Sequence, residues 1–208
     1  MQPPAKQNSR DRILLAALRV IRSKGYNATT VDDLCAAAGV TKGAFFHHFK
    51  SKEDLGVAAA DYWSEMTGAL FANAPYHAHQ DPLDRVLGYI DFRKSLLGGD
   101  IPEFTCLVGT MLQEIFESSP AIRAAAANSI FDHAGKIEDD IQAAIEAYGI
   151  HPAWTAKSLA LHTQAVLQGA FILAKTGTGA AAVADSIDHL RHYVELLFEP
   201  PCKEETGK

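Results

Sequence analysis

The stretch Thr30–Leu55, TVDDLCAAAGVTKGAFFHHFKSKEDL, places two short helices and the start of a third within 26 residues. Val31, Leu34, Cys35 and Ala38 recur at i, i+3, i+4 and i+7, one face of a helix. Thr30 stands before that face with Asp33 three residues on, a capping-box pattern in which an acid replaces the usual Glu or Gln. Gly39 supplies the left-handed backbone that ends such a helix. Thr41 then caps a second helix, with Val40 and Phe45 placed as a hydrophobic staple. At 100° per residue, Phe45, His48 and Phe49 point to one side, while Gly43, Phe46, His47 and Lys50 point to the other. Ser51, followed by Asp54, caps the next helix.

Upstream, Ser9 to Lys24 reads as a helix that buries Ile13, Leu14, Ala17, Leu18 and Ile21 and stops at Gly25. Three short helices, the last two joined by Gly39-Val40, make a helix-turn-helix whose third member turns its outer face to a DNA groove. Charge agrees with that placement. Residues 1–55 carry nine Lys and Arg against five acids, whereas the rest carries ten against twenty, within a net charge of −6. A basic head on an acidic body points to nucleic acid at the head alone.

Downstream the helices lengthen. They are expected from Ser51 to about Asn73, from Asp81-Pro82 to Gly98-Gly99, from Pro102 onward, from Ser119-Pro120 to Gly149, from Pro152 to near Gly177, and from Ala180 to Glu199. The Pro102 helix carries Phe104, Leu107, Val108, Met111, Leu112 and Ile115 on one stripe, with Cys106 on the side of Gly109, Thr110 and Gln113. No strand alternation or internal repeat competes, so the chain reads as all-α with about nine helices. The N-terminus lacks the apolar core of a signal peptide, and no run of ~18 uninterrupted apolar residues occurs. Three widely spaced cysteines (35, 106, 202) argue against disulfides and zinc, and place the protein in the cytoplasm. His77, His79 and Asp81 lack a second ligand cluster, and His189 with His192 reads as helix surface, so neither metal nor other cofactor is expected.

The Thr30–Leu55 motif resembles the signature of the TetR family of bacterial transcriptional regulators. The resemblance in motif covers about residues 10–55; the remaining helices match only in number, order and rough length. It implies a helix-turn-helix DNA-binding domain at residues 1–50 and a ligand-binding and dimerisation domain at residues 51–208. On this resemblance Lys42, Lys50 and Lys52 meet phosphates, Thr29 and Thr30 donate from the start of the second helix, and Thr41 caps the reading helix. Gly43 lets the backbone approach DNA, His47 reaches a base edge or the adjoining phosphate, and His48 either touches phosphate or packs. The family usually has tyrosine where this chain has Phe46; a phenol–phosphate bond does not transfer, though the ring can pack on a thymine methyl.

The resemblance further implies a homodimer through the helices near 152–176 and 180–199, matched to a palindromic operator. Leu159, Ala160, Val166, Gly169, Ala170 and Leu173 on the first, and Leu190, Tyr193, Val194 and Leu197 on the second, are the candidate faces. A small-molecule effector is expected among the central helices, against Trp63, Tyr89, Phe92, Phe104, Cys106, Met111, Phe131 and Phe171. The setting of Cys106 is similar to a branch of the family that responds to reactive electrophiles; Lys175 or Arg123 would favour a thiolate there if close. The function implied is a DNA-binding regulator, a repressor, controlled by that effector and not an enzyme. Two alternatives stay open: a ligand-binding or interaction module of the same fold without specific DNA binding, and an enzyme with Cys106 as nucleophile and His133 or His162 as base.

Overall fold

The computed structural model describes residues 8–199, and every regular element among them is helical. The order is α1 (Ser9–Lys24), α2 (Val31–Ala38), α3 (Lys42–His48), α4 (Lys52–Ala72), a 3₁₀ turn (Pro75–Ala78), α5 (Pro82–Ser95), α6 (Ile101–Phe104), α7 (Leu107–Ile115), α8 (Pro120–Tyr148), α9 (Ala156–Leu173), a wide turn (Ala174–Thr178) and α10 (Gly179–Phe198). Cys202 lies outside the described residues.

The caps expected in the N-terminal third form as read. Thr30 Oγ1 accepts from Asp33 N–H, and Asp33 in turn accepts from Thr30 N–H at 2.8 Å. Thr41 and Ser51 accept from Ala44 and Asp54 N–H, at 3.2 and 3.0 Å. Gly39 sits at φ +63° and lets Val40 N–H turn back to the Cys35 carbonyl. Arg12 adds a brace that periodicity does not reveal, its Nη2 donating to the Ala38 and Gly39 carbonyls at 2.6 and 2.8 Å. Carbonyls at a helix C-terminus carry partial negative charge, so a guanidinium is well placed there.

Two hydrophobic cores result. One gathers Ile13, Leu14, Ile21, Leu34, Phe45, Phe49 and Leu55 from α1–α4, and continues beyond residue 50 into Leu107 and Met111 of α7 and Ile122 of α8. The other joins α5, α8, α9 and α10 through Tyr89, Ile90, Ile141, Leu167, Ile187 and Val194. The head is therefore packed directly on α7 and the first turns of α8. Polar bonds tie the same seam: Glu114 accepts from Asn27 N–H at 2.7 Å, and Ser119 donates to Glu53.

Three element boundaries depart from the sequence expectation, the smallest being α5, which stops at Ser95 short of Gly98-Gly99. The helix expected from Pro102 is broken at Thr105 and Cys106, both extended, into the single turn α6 and the separate α7. One local and one long-range bond hold the break: Thr105 Oγ1 donates to the Ile101 carbonyl at 2.8 Å, and Arg22 Nη1 donates from α1 to the Thr105 carbonyl at 3.2 Å. Cys106 is thus an N-cap rather than a mid-helix residue. The helix expected from Pro152 begins at Ala156, because Thr155 and Ser158 form a capping box there. The run Ala156–Phe198 is apolar enough to reach a mean hydropathy of 1.2 over 18 residues, yet Gly177 at φ +103° breaks it and both halves pack in the second core.

Candidate nucleic-acid interface and effector cavity

On α3 the helical phase sorts the side chains cleanly. Phe45 is wholly buried and Phe49 nearly so, whereas Thr41, Lys42, Gly43, His47 and Lys50 are exposed and Phe46 is 55% exposed. Phe46 stands edge-on to Phe45, with ring centroids 5.2 Å apart, so one edge is anchored while the rest of the ring faces outward. Such an apolar projection beside cations suits a duplex groove, where thymine methyls and phosphates lie close together. Lys42 pairs with Asp32 at 2.8 Å, but both are well exposed, and a surface pair of this kind is worth about 0–1 kcal/mol. Phosphate can replace it. Lys50 has no carboxylate partner among the described residues.

A Cβ on Gly43 would meet only Thr41 Oγ1, at 3.7 Å, which is ordinary contact. Nothing inside the chain therefore requires glycine at that position, although glycine in a helix costs roughly 0.5–1 kcal/mol relative to alanine.

Three expected contacts are reassigned. Thr29 is 1% exposed, and its hydroxyl donates to the Gly25 carbonyl at 2.6 Å. Lys52 turns inward: its Nζ donates to the Tyr26 and Thr29 carbonyls, both at 3.0 Å, and lies 4.4 Å from the centre of the Tyr26 ring. Burial lowers its pKa. The third Nζ donor of Lys52 reaches the Asn27 carbonyl at 3.4 Å, so both residues brace the α1–α2 turn and have no free side-chain donor to offer phosphate. His48 shares a hydrogen bond with Ser9, joining α3 to α1, so of its two candidate roles the packing role is the one occupied. Thr30 remains exposed, with its hydroxyl donating to Asp33 at 2.6 Å.

The body holds a cavity of about 230 Å³ between α4, α5, α7, α8 and α9. Of the expected lining residues, Trp63, Phe104, Cys106 and Phe171 are there. Tyr89 is core and faces an adjoining cavity of about 220 Å³; Phe92 packs edge-on to Phe71; Met111 is fully buried in the head core; Phe131 is 58% exposed on α8. The misplacements share one cause: helical phase tells which residues share a face, but not which neighbour that face meets.

The polar groups of the cavity were not marked by the sequence. Arg22 enters from α1, its guanidinium carbon 4.8 Å from the Trp63 ring centre and its Nε bonded to the Leu18 carbonyl at 2.7 Å. Burial lowers its pKa to about 10, with the Cys106 and Glu103 charges acting against that shift. Arg93 lies over the rings of Phe71 and Phe171, at 5.2 and 5.7 Å. His133 is held by a relay: Gln164 donates to the Tyr89 hydroxyl at 3.2 Å, and that hydroxyl lies 3.0 Å from His133 Nε2. If the phenol accepts from Gln164 it donates to Nε2, which puts the imidazole proton on Nδ1. Burial and the neighbouring Arg93 and Lys136 charges lower the His133 pKa to about 3, so the ring is neutral near pH 7.

Cys106 Sγ accepts from Gly109 N–H at 3.4 Å at the cavity wall. The cations expected near it are occupied elsewhere, since Lys175 donates to Thr110 Oγ1 and Arg123 to the Phe116 carbonyl. Neither histidine considered as a base bonds the thiol: His133 is taken by Tyr89, and His162 stacks on Tyr193. Among the described residues no group of three ligating side chains could hold a metal.

On α9 and α10, Leu159, Ala160, Ala170, Leu190 and Val194 are core of the single chain and not a free face. Val166 and Leu197 are half-buried. Gly169, Leu173 and Tyr193 remain outward, joined by Ile172 and Leu196, which are 46% and 50% exposed.

Comparison with known proteins gives this geometry a context. Residues 13–59 match the family described as bacterial regulatory proteins, tetR family. A segment of 58 residues is 40% identical to an uncharacterized HTH-type transcriptional regulator, YerO of Bacillus subtilis, covering 28% of this chain and 20% of that protein. The transcriptional regulator AcuR of Cereibacter sphaeroides is 26% identical over 153 residues, 74% of this chain and 60% of that protein. A TetR transcriptional regulator from Chloroflexus aurantiacus superposes with a TM-score of 0.78 at 28% identity, over 90% of this chain and 94% of that one. Several other matching relatives carry the word repressor in their names.

Proposed function

From the match of residues 13–59 to the family described as bacterial regulatory proteins, tetR family, we propose that this chain is a cytoplasmic transcriptional repressor whose operator affinity is set by a small molecule in the α4–α9 cavity. The observation that carries the reading is the outward face of α3, where Lys42, Gly43, Phe46, His47 and Lys50 stand together while Phe45 and Phe49 anchor the helix. Lys42 and Lys50 take phosphates, and His47 and Phe46 meet base edges. Two copies associate through the outward faces of α9 and α10 and present two α3 helices to successive major grooves, about 34–36 Å apart.

Arg22 supports the link between ligand and DNA. It belongs to α1 of the head, lines the cavity, stacks on Trp63 of α4 and holds the α6–α7 break through Thr105. A ligand that shifts this guanidinium acts on the head without an intervening domain. It weakens operator binding by favouring a head spacing unsuited to the duplex.

Gel shift against the DNA upstream of the chain's own gene, at two salt concentrations, tests the reading. Binding should weaken steeply with salt yet outcompete random duplex. Lys50→Ala should lower affinity for all duplexes alike and reduce the salt slope by about one, while His47→Ala should change preference among sequences. Equal, uniform losses from both would remove His47 from base contact. No preference for any duplex would favour an interaction module, a reading to which the exposed hydroxyl-free ring of Phe46 also lends itself.

A further inference from the structure

We infer that the cavity is built for a monocarboxylate with an apolar body, and that Arg93 is the residue that receives the carboxylate. The inference rests on the cavity's being an effector site and specifies the chemistry of what enters it. The walls are apolar and aromatic, with Trp63, Phe104, Val108, Leu167 and Phe171 among them. Into that lining project two guanidinium groups and one carboxylate. The carboxylate, on Glu103, already accepts from Asp100 N–H at 3.1 Å in the capping box of α6, and among the described residues it lies beyond ion-pair distance of both arginines. Arg22 already uses its Nε and one Nη1 N–H on the Leu18 and Thr105 carbonyls, which leaves only part of its fork open.

Arg93 differs. It packs on two rings, and none of its N–H groups has a hydrogen-bond acceptor among the described residues. A guanidinium satisfied on its face and open along its N–H edge matches the two oxygens of a carboxylate bidentately. In a partly dehydrated cavity, such a cation gains more from an anionic partner than it would at the surface. Of the other polar groups lining the cavity, Thr67, Ser129, Gln164 and Gln168 carry no charge, and His133 is neutral near pH 7. The one wholly open fork, on Arg93, therefore fits one carboxylate, and the aromatic walls fit its hydrocarbon part. A polyanion would leave charge unmatched, and an organic amine would face Arg93 with like charge.

Isothermal titration of the full chain with benzoate, 3-phenylpropanoate and octanoate, each beside its primary amide, tests this. At least one acid should bind ~10-fold or more tightly than its amide, the margin a charge-assisted bidentate contact confers. Arg93→Gln should erase that preference, and Arg93→Lys should keep part of it. The inference is overturned if no acid binds up to ~10 mM, a Kd too weak for a built site, if amide and acid bind alike, or if Arg93→Gln retains the preference. Should Arg93→Gln fail to melt cooperatively, the acid-to-amide ratio of the native chain and of Arg93→Lys decides. Gel shift with the same acids separates the two readings: acid binding with unaltered DNA affinity keeps the carboxylate site and removes effector control, while a repressor released equally by acid and amide, or one whose acid preference survives Arg93→Gln, does the reverse.

Discussion

Lys52 shows how a side chain's charge can mislead about its use. In sequence it belongs to a basic segment beside the reading helix; in the fold its ammonium satisfies carbonyls of the α1–α2 turn. Lys52→Met should therefore destabilise the chain by about 1–3 kcal/mol, as expected when buried acceptors lose their donor, read as a lower denaturant midpoint. Lys50→Ala should leave that midpoint unchanged. His133 makes a second prediction at this level. Its folded pKa of about 3 lies below the ordinary 6.5, so the unfolded chain binds the extra proton first as pH falls. Stability is full above about pH 6.5 and declines toward pH 3, with a slope of at most ~1.4 kcal/mol per pH unit from this group. Thermal melts between pH 7 and 5 should show that decline, and His133→Gln should flatten it. A residue's type announced its chemistry, but its partners lay 23 or more positions away, beyond any local pattern.

Among the elements, helix ends were more legible than helix faces. Caps depend on neighbours three or four positions apart, and Thr30, Thr41, Ser51 and Ser119 all form theirs. The α6–α7 break was not legible, because it depends on Arg22 reaching across from α1 to the Thr105 carbonyl. Two helical glycines, Gly43 in the first turn of α3 and Gly169 within α9, carry the next prediction. Gly43 and Gly169 are both exposed, and a Cβ on either would cause no clash within the chain. Alanine at each should stabilise the isolated fold by roughly 0.5–1 kcal/mol. Gly43→Ala should nevertheless weaken DNA binding, and Gly169→Ala should weaken self-association if α9 helices approach closely there. A denaturation curve paired with gel shift or sedimentation reads both sides of that exchange.

For the molecule as a whole, the arrangement sets a basic helix-turn-helix head against a hollow body, with α4, α7 and α8 contributing to both the head core and the cavity wall. Leu107 and Met111 of α7 fill the head core while Cys106 and Val108 face the cavity, so the same nine-residue helix feels both sites. The proposed pairing of two copies carries its own prediction. Leu196 is 50% exposed on α10 beside the 43% exposed Tyr193. Leu196→Glu should leave the melting midpoint nearly intact yet halve the mass seen in sedimentation. Operator affinity should fall by about 10²-fold or more, because each head then binds without its linked partner. An unchanged mass would place the interface elsewhere.

The order of residues alone settled the all-helical class, the caps, the helix-turn-helix and the outward set on α3, since each depends on spacings within one or two turns. It also separated a basic head from an acidic body. Folding in three dimensions was needed to send Thr29 and Lys52 inward, to put Met111 in the head and Phe131 on the surface, and to bring Arg22 of α1 and Arg93 of α5 to one cavity. Those assignments depend on which helix packs against which, and contacts between distant helices arise from the joint burial of many faces at once, a quantity no single stretch of sequence contains.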